Sequence, residues 1–299
     1  MTPREGLLER LRRGDRVLGD GAWGTMLFDR GLPPGTAPES WTLERPDVIT
    51  AIGQAYLDAG AEIITTNTFG GSRFRLAPQG LQDAVSEVNR RGVHLAAAVA
   101  DGRAYVSASI GPSGLVLQPY GDADPARIAD GFEEQALALA SAGADLFCVE
   151  TMTDAHEAAL AIGAVRRVAP SATVIATMTF DITPRGPYTV MGVSVAQAAR
   201  ALEGAGADVV GANCGTGVEA MLAVVRALAA QTTLPIAIRA NAGLPARRGG
   251  RLIYPDSPSR YASAAVRMLE HGVGVIGGCC GTTPDHIRAL AALMAARSA

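Results

Sequence analysis

Short apolar runs alternate with amphipathic helical stretches eight times along the 299 residues, and this alternation restricts the chain to parallel α/β architectures. The runs are Val17–Gly19, Glu62–Thr66, Ala104–Ser109, Asp145–Glu150, Thr173–Thr179, Val209–Asn213, Pro235–Ala240 and Gly272–Gly277. They are short, mostly continuous and rich in Val and Ile, as strands buried on both faces are. Between them lie stretches such as PDVITAIGQAYLDAG, PARIADGFEEQALALASAG, SVAQAARALEGAG and PSRYASAAVRMLEHG. Several open on Pro or Ser and close on Gly, which are helix start and stop signals. DAGAEII, SAGADLF, GAGADVV and EHGVGVI repeat one helix-to-strand turn ahead of strands two, four, six and eight. Eight βα units in a chain of this length predict an α/β fold of the (β/α)8 TIM-barrel type, a single domain over residues 1–299. A doubly wound open sheet is the alternative. GDGAWGTM, after the first strand, lacks the GxGxxG spacing of a dinucleotide site, and no Pro/Ser-rich linker divides the chain. Leu32–Pro46 and Leu244–Pro258 read as long excursions after strands one and seven.

Charge and composition exclude several classes of function. A net charge of −3 and a pI near 5.8 leave no basic footprint for nucleic acid. No apolar run is long enough to span a bilayer, and MTPREGLLERLRRGDR carries charge with no apolar segment behind it. The expectation is a cytoplasmic protein with no membrane partner. The chain contains no lysine, which removes Schiff-base chemistry and the P-loop. Four cysteines in a chain of this size do not suggest a disulfide framework.

In such a barrel the chemistry sits at the C-terminal strand ends. There the sequence places Asp20, Thr66 and Asn67, Glu150, Thr179 and Asp181, Asn213 and Cys214, Asn241, and Cys279 with Cys280. Three cysteines thus fall on one rim, from strands six and eight. Three thiolates with a fourth position open suit a catalytic zinc ion, and sulfur favours zinc or copper(I) over magnesium or calcium. Gly277, Gly278 and Gly281 permit the bend that lets adjacent cysteines both point at one ion. A buried-hydrophobe reading and a strained vicinal redox pair are the other possibilities. Cys148, inside strand four, reads as a buried hydrophobe, and His156 as a helix-surface residue. Glu150 has a structural ion pair as its plainer reading. Asp20 and Asn67 have turn roles as theirs.

The motifs themselves resemble the homocysteine S-methyltransferase family. They are DGAWGTML at 20–27, ITTNTFGG at 64–71, ETMTDAHEA at 150–158, GANCGTG at 211–217, NAGLP at 241–245 and GGCCGTTPDHI at 277–287. The likeness runs from about Asp20 to Ile287. WTLERPDVI at 41–49 and SIGPSG at 109–114 make it most similar to the N-terminal homocysteine-binding module of cobalamin-dependent methionine synthase. The resemblance implies a (β/α)8 barrel that activates homocysteine on zinc and methylates it to methionine. It implies Cys214, Cys279 and Cys280 as zinc ligands and Glu150 as partner of the substrate amino group, with Asp20 close by. The backbone of Gly21, Ala22 and Trp23 would take the carboxylate, and Asn241 would stand beside the metal at its open position.

There are departures from the family pattern. The sequence holds no counterpart of the folate, cobalamin and activation modules. Methylcobalamin is therefore expected on a separate corrinoid- or folate-binding methyl-transfer protein. A free donor such as S-methylmethionine or betaine is the alternative, as is a homocysteine- and zinc-binding subunit of a split synthase, inactive alone. Arg239-Ala240 stands before Asn241 where a proline is expected next to that asparagine, and Trp23 fills a position often held by Met.

Overall fold

The computed structural model describes residues 5–248 and 251–298. Eight parallel strands form the barrel: β1 (Val17–Leu18), β2 (Ile63–Thr65), β3 (Tyr105–Ile110), β4 (Leu146–Met152), β5 (Thr173–Met178), β6 (Val209–Gly217), β7 (Ile236–Asn241) and β8 (Val273–Gly278). Their order around the sheet is β1-β8-β7-β6-β5-β4-β3-β2, and a parallel bridge between Gly19 and Ile63 joins the two ends. The expected (β/α)8 barrel is the observed fold, and each strand matches one of the apolar runs. β6 is longer than expected. It continues through Gly217 with a register break against β7 between Asn213 and Gly217, so Cys214 lies inside an irregular strand rather than after it.

The helices are α1 (Leu7–Arg13), α2 (Pro46–Asp58), α3 (Val85–Ala100), α4 (Pro125–Ser141), α5 (Ala155–Val168), α6 (Val195–Gly204), α7 (Val218–Ala229), α8 (Pro258–Ala265) and α9 (Pro284–Ser298), with shorter turns between. Local chemistry sets their ends. Asp124 and Asp154 accept a first-turn N–H from Ala126 and His156, and Ser194 forms a capping box with Gln197. The repeated helix-to-strand turn is one left-handed glycine used four times: Gly60, Gly143, Gly206 and Gly272 have φ of 100°, 87°, 100° and 84°. The stretch PSRYASAAVRMLEHG is not one α-helix. α8 stops at Ala265 and Val266–His271 winds as a 3₁₀ helix. Over six residues, a period of 3.6 and one of 3.0 are too similar for the apolar pattern to separate.

Two cores result. The larger lies between the barrel wall and the surrounding helices. The smaller fills the lower barrel interior with Val17, Ile63, Tyr105, Leu146, Cys148, Ile175, Val209, Ala237 and Val275. Leu7 and Leu11, one turn apart on α1, pack into it and seal that end. The long excursion after β1 holds short helices, and the one after β7 holds a hairpin of Ala246–Arg248 with Arg251–Ile253. A second hairpin, Asp181–Thr183 with Gly186–Tyr188, follows β5. No described helix is long and apolar enough to cross a membrane.

Candidate functional site

Climbing the same strands, the inward-facing positions turn polar: Thr65 on β2, Ser109 on β3, Glu150 on β4, Thr177 on β5, Asn213 on β6, Arg239 and Asn241 on β7. Register sets Asn213, Arg239 and Gly277 level with one another on β6, β7 and β8. Above this layer a cavity of about 630 Å³ opens at the C-terminal rim. It is lined by the three rim cysteines, Glu150, Arg239 and the Gly21–Gly24 backbone, among others.

Cys214, Cys279 and Cys280 converge there. Their Sγ atoms lie within 4.8 Å of one another, and Cys214 and Cys280 are 3.8 Å apart. Tetrahedral zinc with sulfur at about 2.3 Å sets its ligands roughly 3.8 Å apart, so the trio needs little contraction to hold such an ion. The backbone invests strain in this arrangement. Cys214 has φ 58°, in the left-handed region, and Thr151 at the end of β4 has φ 61°. Asn241 is buried beside them, and its Oδ1 has no hydrogen-bond partner. A buried acceptor left open next to three sulfurs is what a cation site presents. Hydrogen bonds from Cys279 and Cys280 pull the Cys214 thiol down, helped by the Gly215 N–H and Asn241. The same contacts with Cys214 push Cys279 and Cys280 up. One proton leaves easily and the other two resist, a charge pattern that a divalent cation would resolve.

Tyr254, just after the hairpin, covers this cluster and hydrogen-bonds to the Cys280 sulfur. Its ring occupies the space over Gly281, where a Cβ would come within 2.0 Å of the ring carbon.

The other expected residues are also at the rim. Glu150 is 8% exposed; Oε1 accepts from Ser109 Oγ at 2.5 Å and Oε2 lies 3.5 Å from Asn213 Nδ2. Burial pushes its carboxyl above the ordinary range, and Arg239 opposes that. Asp20 is fully buried and heavily bonded. Oδ2 accepts from the Thr65 N–H at 2.7 Å and Trp23 Nε1 at 3.0 Å. Oδ1 accepts from Thr65 Oγ1 at 2.8 Å and from Arg239 Nη2. Of the backbone at 21–23, the Ala22 N–H donates to Thr282 Oγ1 at 3.1 Å. Asn67 ties two loops together, donating to Pro38 O at 2.8 Å and Thr42 Oγ1 at 3.0 Å. His156 is exposed on α5, and Cys148 lies in the lower core with its thiol pushed up by burial.

The strand-end reading overlooked Ser109, Thr65, Tyr254 and Glu39, and noted Arg239 only as a departure. A signal existed for Arg239. In IAIRAN it falls two residues after Ala237 and two before Asn241, on the inward face. Glu39, in the excursion after β1, is buried in the outer cavity and accepts the Gly70 N–H at 2.6 Å. No local pattern marks it.

The fold and this rim define a (β/α)8 barrel whose cavity carries a cluster of three thiols spaced so that they could hold a metal ion. The chain belongs to the homocysteine S-methyltransferase family, whose model matches residues 17–294. It is 35% identical over 305 aligned residues to the methionine synthase of Mycobacterium leprae, covering 97% of this chain and 25% of that protein. It is 34% identical to the methionine synthase of Mycobacterium tuberculosis, covering 93% of this chain and 24% of that one. The chain thus spans about a quarter of the length of these relatives. Among solved structures it is similar to the metallated form of the Escherichia coli homocysteine methyltransferase MmuM. That match has TM-score 0.80 and 24% identity, over 96% of this chain and 100% of the other.

Proposed function

We propose that this chain binds homocysteine and zinc at the rim and methylates the homocysteine sulfur to give methionine, with the methyl group delivered from a methyl-corrinoid on a separate protein. The observation that carries the reading is the convergence of Cys214, Cys279 and Cys280 beside Glu150, with the open Asn241 acceptor next to them. Cys214, Cys279 and Cys280 would hold the ion and Asn241 the position that substrate takes over. When bound there, zinc supplies the positive charge that makes a thiol acidic at neutral pH.

The chain's own residues do the rest. Glu150 pairs with the substrate ammonium, and its bond from Ser109 fixes the carboxylate in place. The N–H groups of Gly21 and Trp23 face the substrate carboxylate, while Asp20 holds the Trp23 indole and Thr65. Fixing both ends of the amino acid orients its sulfur toward the cavity mouth. The sulfur lone pair forms the new bond to the methyl carbon as the methyl–donor bond breaks, its electron pair leaving with the donor.

A protein-borne donor is supported by the rim itself. Among the described residues, ten of the twelve exposed large hydrophobics lie on segments after β1, β3, β5 and β7, Tyr120 (82% exposed) and Val190 (75%) among them. Exposed apolar side chains on the segments that follow the strands give that end of the barrel a surface suited to contact with another protein.

A free cationic donor such as S-methylmethionine or betaine is the second reading, and the outer cavity favours it. Trp23, Phe28 and Phe69 line that part together with the buried Glu39, a combination that suits an onium group. The deciding experiment gives zinc-loaded protein homocysteine with methylcobalamin, S-methylmethionine, betaine or S-adenosylmethionine in turn. Methionine from methylcobalamin alone supports the first reading, and methionine from an onium donor alone supports the second. Tight homocysteine binding without turnover would mark a subunit of a split synthase. No homocysteine binding would defeat all three.

A further inference from the structure

Arg239 is one of two arginines, with Arg75, that line a cavity also holding Glu39, Glu150 and the three rim cysteines. It is 8% exposed and lines the cavity. Its side chain runs from β7 across the barrel to the β1–β2 side, where Nη2 bonds Asp20 Oδ1 and also donates to Thr65 Oγ1 at 2.9 Å. Gly19 makes this reach possible, since a Cβ there would stand 3.2 Å from Nη2. One nitrogen therefore holds the guanidinium in place. Nε and Nη1 have no partner among the described residues, and they keep three of the five donors of the fork. The same Asp20 carboxylate that fixes Arg239 also fixes the Trp23 indole, so the guanidinium and the Gly21–Trp23 backbone share one corner of the cavity.

An amino-acid carboxylate entering that corner finds Glu150 and the three sulfurs on the cavity wall, with the Asp20 carboxylate buried behind Arg239. Without Arg239 it would be repelled by its nearest charge. With Arg239, Asp20 is neutralised and a planar fork remains for a second carboxylate.

We propose that Arg239 is the side-chain anchor for the substrate α-carboxylate, acting with the Gly21 and Trp23 N–H groups, and so makes the site select an α-amino acid over a simple aminothiol. The inference rests on the homocysteine reading above. Glu150 takes the ammonium from β4, Arg239 the carboxylate from β7, and the cysteine trio the sulfur from β6 and β8. Those three points define the substrate's handedness as well as its charge. A merely structural Arg239 would support the barrel without distinguishing ligands.

The test compares binding of homocysteine and of 3-aminopropane-1-thiol, which keeps the amine and the thiol but lacks the carboxylate. Each is titrated calorimetrically into zinc-loaded wild type, Arg239→Met, Arg239→Lys and the double variant Asp20→Asn/Arg239→Met, after zinc content and melting temperature are measured. The double variant leaves no unpaired buried carboxylate and guards against misfolding of the single one. Wild type should prefer homocysteine by about 10–100-fold, the range of a charged hydrogen-bonded contact. Both Met variants should bring that preference to within a few-fold by weakening homocysteine alone, and Arg239→Lys should recover part of it. A preference that survives in a folded Met variant, or equal weakening of both ligands, overturns the role of Arg239. A wild type that binds neither thiol overturns the homocysteine reading as well.

Discussion

Cys148 and Cys214 are the same residue on neighbouring regions of one barrel, and their surroundings give them opposite chemistry. Cys148 faces the lower interior among Val17, Ile63, Leu146 and Ile175, where burial pushes its thiol up and leaves it an inert hydrophobe. Cys214 stands at the upper rim with φ 58°, where two thiols, a backbone N–H and an amide pull its thiol down. The lower half of the barrel is sealed by α1 and has no polar purpose. The upper half carries polar inward side chains on six strands, from Thr65 on β2 to Asn241 on β7. One step along a strand face, two residues or about 6.6 Å, separates a stability position from a chemical one.

The sharpest way to break this contrast is to remove one cysteine of the rim trio and, separately, the core cysteine. Cys280→Ala should lose zinc, measured by metal analysis, and methyl transfer. The loss should exceed the roughly 10–100-fold cost of removing a supporting partner of a ligand. Cys148→Ala should keep both zinc content and rate. A Cys280→Ala protein with full zinc and activity would remove the site assignment. Leu11→Ala, at the sealed end, should do the reverse. It should cost about 2–5 kcal/mol of stability in chemical denaturation while leaving zinc stoichiometry unchanged.

Glu150→Gln should weaken homocysteine binding by about 10–100-fold, the value of a charge-assisted hydrogen bond. Burial raises the Glu150 carboxyl, and the proposed contact with the substrate ammonium requires its ionised form. Homocysteine affinity in wild type should therefore fall as pH drops through a value above the ordinary carboxylate range near 4.3. The Gln variant should lack that step while keeping the loss due to protonation of the thiols. The smallest effect concerns Glu39, which burial also raises. Its native form holds its proton more tightly than the unfolded chain, so its contribution to stability is fully present below the unfolded value and is lost as pH rises through the native one. Glu39→Gln should flatten that decline in melting temperature against pH, and an unchanged slope would show Glu39 to be without a folding penalty.

What the sequence discloses follows from distance along the chain. The glycines that close four helices, the strand ends and the paired Cys279 and Cys280 are each written within a few residues, and all were legible. The α1 plug was missed because seven residues with two leucines carry little periodicity of their own. The Asp20–Arg239 contact joins positions 219 apart in sequence, and nothing near either residue names the other. The hairpin after β5 was missed for a related reason: ITPRGPY shows little apolar alternation, and its pairing depends on the turn.

The barrel's last seam has a consequence of its own. Between β1 and β2 there is one backbone bridge, and beside it the Thr65 N–H is received by the Asp20 carboxylate rather than by a strand carbonyl. The ring of strands is thus fastened by a side chain that also holds Arg239 and the Trp23 indole, both on the cavity wall. Breathing of that seam and occupancy of the cavity are then one coupled equilibrium. Exchange of the Thr65 amide with deuterated solvent should slow when homocysteine is added, before any methyl donor is present, making a single backbone proton a gauge of how full the cavity is.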